Sequence, residues 1–88
     1  MTLQDLKDTL IERGYENAVV FENPNYLSAV IGISQNGQVI YSYEKMVEHL
    51  MEEDEMEEED AIEFIDYNTI RALPYMGDNA PIISYDIF

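Results

Sequence analysis

Eight carboxylates occupy residues 52–60, broken only by Met56, and ten lie between residues 51 and 68. Carboxylates at that density could hold a divalent cation, work as an acid–base pair, or present a field of negative charge to a basic partner. Each use demands something more of the sequence. A calcium loop of the EF-hand kind needs a central glycine and a glutamate at its twelfth position, and this run contains no glycine. A tight zinc site needs several His or Cys ligands, whereas the chain has His49 alone and no cysteine. Acid–base catalysis needs a carboxyl whose pKa is moved by burial or by a close partner, and acids so crowded in sequence read as solvated. His49 falls beside Glu48 and Glu52 on the polar side of a helical pattern, which also reads as solvent. Gly32, Gly37 and Gly77 build no loop that would cradle a phosphate. The inventory therefore points to a chain with no catalytic residue, no metal and no cofactor, and leaves the charge field as the candidate chemistry.

That field is large. Nineteen Asp and Glu stand against four Lys and Arg, a formal net charge of −15. A surface of this sign repels nucleic acid and anionic membranes and attracts cations and basic proteins. Solubility alone is served by a net charge of magnitude roughly 2–8 in a small domain. Like charges at i,i+4 on a helix cost a few tenths of a kcal/mol each, and Lys45 is the one nearby cation to offset them. A helix rises 1.5 Å per residue, so acids on two adjoining helix ends approach the charge density of duplex DNA, about one per 1.7 Å. The expectation is a non-enzymatic binder that meets a basic partner protein, one that handles nucleic acid, through Glu48, Glu52, Glu53, Asp54, Glu55, Glu57, Glu58, Glu59 and Asp60. It would bind no nucleic acid and no membrane itself. Two alternatives stay open: an acidic run serving solubility alone, and an adaptor or regulatory subunit that binds through an aromatic sheet face of Tyr26, Val30, Val39 and Tyr41.

The elements that must position these residues follow from periodicity. Thr2 with Asp5 three residues on resembles a capping box. Leu3, Leu6, Leu10 and Ile11 then share a helix face, which Gly14 ends. Residues 18–21 ("AVVF") and 26–34 ("YLSAVIGIS") read as strands. Asn36-Gly37 is a two-residue hairpin signal, since a type I′ turn needs φ > 0 twice. Flanked by Gln35 and Gln38, it pairs Ile33 with Ile40 and Gly32 with Tyr41. Leu27, Ile31, Ile33 and Ile40 then take the core side, and Tyr26, Val30, Val39 and Tyr41 the other, a face either covered by a helix or exposed as an aromatic surface. Ser42 caps a second helix whose inner face is Tyr43, Met46, Val47, Leu50 and Met51. A third helix starts near Glu57, where the dipole favours acids. It faces inward through Ala61, Phe64, Ile65 and Asn68, and ends by Pro74. Asn68 on that face needs a partner in a neighbouring loop, and Arg71 needs a nearby acid. A loop follows at residues 76–80, and "PIISYDIF" reads as a last strand with Ile83, Tyr85 and Ile87 on one side. The order is α-β-β-β-α-α-β: an α+β fold over residues 1–88 as one small acidic domain, with helices packed on an antiparallel sheet.

Composition bounds the rest. An apolar fraction of 47%, with seven Tyr and three Phe, is too high for a disordered chain. A chain of this length buries only roughly 60–65% of its unfolded surface, so its stability is modest. With no cysteine, packing alone must hold the fold. No apolar run reaches signal-peptide or membrane-span length, which reads as a cytoplasmic protein.

Residues 57–83, "EEEDAIEFIDYNTIRALPYMGDNAPII", resemble a family of small uncharacterised proteins from bacteria and their phages. The shared pattern is an acidic helix start, E-x-x-x-F-x-[FY]-N, an aromatic residue with Gly, and P-I in an extended end. The residues that carry it are Glu59 or Asp60, Glu63, Phe64, Tyr67, Asn68, Tyr75, Gly77, Pro81 and Ile82, although Phe64 and Tyr67 stand three apart here, one residue more than the pattern's spacing. About a third of the chain is covered, and "GYENAVVFENPNY" is similar to relatives from gut bacteria. Where the family has a Gly-Met-Thr turn before the third helix, this chain has Glu55-Met56-Glu57, which adds charge in place of a neutral cap. The resemblance implies the fold and carries no activity. In architecture alone, the chain is similar to acidic anti-CRISPR inhibitors of phage origin that imitate DNA.

Overall fold

A computed structural model describes residues 1–87. Helix α1 (Leu3–Glu12) begins at the expected box: Thr2 Oγ1 accepts from the Asp5 N–H at 3.1 Å, and Asp5 Oδ2 accepts from the Thr2 N–H at 3.0 Å. The Thr2 N–H, and after it the Thr2 hydroxyl, hold the Asp5 carboxyl below the usual aspartate range. Leu6 and Leu10 enter the core, whereas Ile11 stays 59% exposed, because the helix leans on one row of side chains only. Gly14, at φ +87°, turns the chain away.

Residues 18–21 do not form the expected strand. They run beside the sheet without a ladder, tied by Val19 N–H to the Asn79 carbonyl at 3.4 Å and by Phe21 N–H to Tyr41 Oη at 3.1 Å. The second expected strand starts late. Asn25 Oδ1 takes the Leu27 N–H at 3.1 Å, a side-chain turn that competes with a ladder. Tyr26 is left-handed at φ +47°, and Leu27–Ala29 form one 3₁₀ turn. Strand β1 (Val30–Ile33) follows and pairs antiparallel with β2 (Val39–Ser42).

The hairpin loop is one residue longer than expected. Ser34 N–H reaches the Gln38 carbonyl at 2.8 Å and Gly37 N–H reaches the Ser34 carbonyl at 3.0 Å, which leaves Gln35, Asn36 and Gly37 in the loop with Gly37 at φ +82°. This is the three-residue hairpin with a left-handed third position. The pairs become Ile33 with Val39 and Gly32 with Ile40, and an irregularity at Ile31 then sets Val30 opposite Tyr41.

The expected core face is thereby corrected. Val39, Tyr41 and Tyr26 are fully buried, while Ile31 is 51% exposed. Phe21, Tyr26 and Tyr41 pack ring against ring, with centroids 5.5 Å apart for the first pair and 4.7 Å for Phe21 with Tyr41.

Helix α2 (Tyr43–Glu53) is capped by Ser42, whose Oγ accepts from the Lys45 N–H at 3.3 Å, and buries Met46, Val47 and Leu50. Helix α3 (Glu58–Phe64) packs on it through Ala61. The helix then widens to a π-helix over Ile65–Ile70 and closes in a 3₁₀ turn at Leu73–Tyr75. Strand β3 (Ile82–Ser84) joins β2 in parallel, with Ile40 beside Ile82 and Ser42 beside Ser84.

The fold is α+β, as expected, but its sheet is mixed rather than antiparallel, in the order β1-β2-β3. Two parallel strands need a long crossover, and α2 with α3 supplies it. Both edges of β2 are then occupied, which leaves residues 18–21 no central partner. Tyr85 and Ile87, expected in the last strand, lie beyond it and are exposed; Phe88 of that stretch lies outside the described residues. No helix among the described residues is long and apolar enough to cross a membrane.

Candidate functional site

The acidic residues converge on the junction between α2 and α3. Leu50, fully buried, anchors the last turns of α2, and the Asp54 N–H closes on its carbonyl at 3.1 Å. Glu55 then adopts a left-handed conformation at φ +55°, and the Met56 N–H returns to the same Leu50 carbonyl at 3.2 Å. Met56 is half-buried against the core, so the one apolar residue in the run pins it down. Glu57 is the extended residue before α3, and Glu58, Glu59 and Asp60 fill the first turn of that helix. All the expected positions, Glu48, Glu52, Glu53, Asp54, Glu55, Glu57, Glu58, Glu59 and Asp60, are exposed.

Local electrostatics treats the two halves of this run differently. Acids in the first turn of α3 meet the positive end of the helix dipole, about 0.3–1 kcal/mol each in their favour. Glu52 and Glu53 sit at the negative end of α2, whose last turn carries no base, so there the same effect opposes them. Among the described residues the one ion pair is Lys7 Nζ with Glu22 Oε1 at 2.9 Å, away from the junction. Arg71 lies over the Tyr67 ring at 4.8 Å rather than against the acid expected for it. Among the described residues no three His, Asp or Glu side chains are placed to hold a metal ion.

The alternative surface does not exist as a surface. Tyr26 and Tyr41 are 0% exposed, Val39 is 1% exposed, and Val30 is half-buried against them. They form the interior because the helices cover that side of the sheet. Tyr26 and Tyr41 ionise above the usual tyrosine range, chiefly through burial.

Two polar contacts escaped the sequence reading. Thr69, not Asn68, faces the core, where its Oγ1 lies 2.8 Å from Tyr26 Oη. Asn68 is exposed and donates from Nδ2 to the Phe64 carbonyl of its own helix at 3.2 Å. The wider π turn carries the inward row from Ala61 through Ile65 to Thr69. His49 is half-buried rather than solvated, with Nδ1 at 3.1 Å from Ser28 Oγ and its ring 5.6 Å from that of Tyr26. The pair borders an open cleft of about 430 Å³ that includes Asn25 and Glu53. Among the described residues no carboxylate is hydrogen-bonded to this imidazole. Ser28 is 21 positions from His49, and no local pattern announces their meeting.

Comparisons with protein-family models, with curated proteins and with solved structures find no match.

Proposed function

We propose that this protein is a non-enzymatic binding protein whose acidic α2–α3 junction occupies a basic, nucleic-acid-binding surface of a partner protein. The observation that carries the reading is the set of four acids at residues 52–55. They are exposed, they lie at the helix end where the dipole opposes them, and among the described residues none is in an ion pair. Folding does not explain charge in that position, whereas the field of a basic partner would. A basic groove built for phosphates would accept such a ridge and exchange the same condensed ions that it exchanges on binding a phosphate backbone. Inhibition by nucleic-acid mimicry, of the kind phages and mobile elements use against host defences, is the form of activity that fits best.

The test is capture of partners on the immobilised chain, with and without competing duplex DNA or RNA, over a salt series. The partner should be basic, should be displaced by nucleic acid, and should bind less tightly as salt rises. Replacing Glu52, Glu53, Glu57 and Glu58 by Gln removes four charges at nearly constant size. Affinity should then fall at least tenfold, about 1.4 kcal/mol, mainly through slower association. Capture that ignores salt, nucleic acid and these four substitutions would refute the mimicry reading.

A further inference from the structure

The acidic ridge borders an apolar furrow. Val47 and Met51 on α2 and Ile62 on α3 line a groove of about 280 Å³, with Glu44, Glu48 and Glu58 around it. Met51 is 38% exposed there, although its spacing belongs to the inner face of α2. Glu44 is engaged by the Asp86 N–H at 3.2 Å, and Glu48 and Glu58 stand free of any ion pair among the described residues. The groove is shallow and open to solvent, a shape that suits side chains presented by another polypeptide. A surface that only needed to repel its neighbours, or to bind cations, would have no use for an apolar floor between its carboxylates.

We infer that the α2–α3 groove seats a cationic amphipathic helix of the partner. An apolar side chain of that helix would pack on Val47, Met51 and Ile62, while flanking Lys or Arg side chains meet Glu48 and Glu58. Two packed helices leave a furrow along which a third can lie, the helix-in-groove mode of recognition. Methionine suits the contact because its unbranched, polarizable side chain adapts to the shape that arrives. The carboxylates set the sign of the occupant, and the apolar floor asks for an amphipathic one. This inference rests on the proposal that the partner is basic, and narrows it to one kind of element on one face.

Alongside an amphipathic Leu and Ser control, the probes are two synthetic peptides of about 15 residues, long enough for helix formation, with identical Leu and Lys content. One places Leu at helical spacing; the other has the same residues in scrambled order. Binding is measured by calorimetry, and the site is read from the methyl resonances of the methionines in the whole chain. The ordered peptide should bind at least about tenfold tighter than the scrambled one and should shift the Met51 methyl more than that of buried Met46.

The decisive variant is Met51→Glu, at a position exposed enough to accept it. It adds negative charge, so attraction by charge alone would hold or tighten binding, whereas docking in the groove requires a loss of about tenfold or more. Equal, salt-sensitive binding of both peptides would overturn the groove and leave the acidic-ridge proposal standing. Absence of binding by either would overturn both. A Leu and Ser amphipathic peptide that bound as well as the Leu and Lys one would also overturn the inference, since the occupant would then be uncharged.

Discussion

Thr69→Val removes one hydroxyl from the interior and changes almost nothing else. The side chain keeps its volume and its branch at Cβ, so packing around the π-helix is retained. What is lost is the 2.8 Å hydrogen bond to Tyr26 Oη, and Tyr26 is 0% exposed, so no water replaces the partner. Among the described residues every buried side-chain polar atom is paired, and this variant would create the exception. An unpaired buried group costs about 1–3 kcal/mol. A loss near 2 kcal/mol would lower the melting temperature of a domain this size by roughly 8–16 °C.

Tyr26→Phe should cost less, about 1 kcal/mol, because a threonine in a helix can turn its hydroxyl to a carbonyl of the preceding turn. With both groups removed no orphan remains, so the double variant should fall short of the sum of the singles by about 1 kcal/mol or more. Urea unfolding of the four proteins, followed by circular dichroism, measures the cycle. Asn68→Ala, on the exposed neighbour, is the control and should stay within about 0.5 kcal/mol. If Asn68→Ala costs more than Thr69→Val, or if the two singles simply add, the helix does not hold the π register and the reasoning fails.

Gly37→Val should destabilise by about 1–2 kcal/mol, since φ +82° is strained for a branched residue and a new Cβ would lie 3.4 Å from the Tyr15 ring; an unchanged urea midpoint would contradict the turn. Glu55→Gly should stabilise by about 0.5–1 kcal/mol, because it relieves a left-handed glutamate. Glu55→Gln loses the charge but keeps the strain, so it should gain less, and equal gains would show that the backbone is relaxed there. The Tyr43 phenol is pushed up to about 12 by burial first and then by its hydrogen bond to Asp66. A raised folded value favours the neutral form, so its contribution is complete below about pH 10, the unfolded value, and is lost as pH rises toward 12. Melting temperatures should therefore fall across that interval, and less so in Tyr43→Phe; identical profiles for the two proteins would refute the assignment.

Local signals determined much of this molecule by themselves. The Thr2–Asp5 box, the Ser42 cap and the inward Met46, Val47 and Leu50 row of α2 depend on neighbours within a turn or two, and each stands where the residues put it. Exposure of the acids at residues 52–60 was equally legible, because desolvating so many carboxylates without cations is prohibitive. Only the tertiary structure decided the faces. Period-2 alternation tells two faces apart without saying which is covered, and one extra loop residue with an irregularity at Ile31 turned Val39 and Tyr41 inward. Residues 18–21 have strand composition, yet β2 has only two edges, and β1 and β3 hold both. The parallel direction of β3 follows from where a two-helix crossover delivers the chain, which no window of the sequence contains. The exchange of Asn68 for Thr69 has the same origin. An α-period projected past Ile65 fails by one residue once the helix widens, and the buried Tyr26 hydroxyl, 43 positions away, accounts for the residue that faces it.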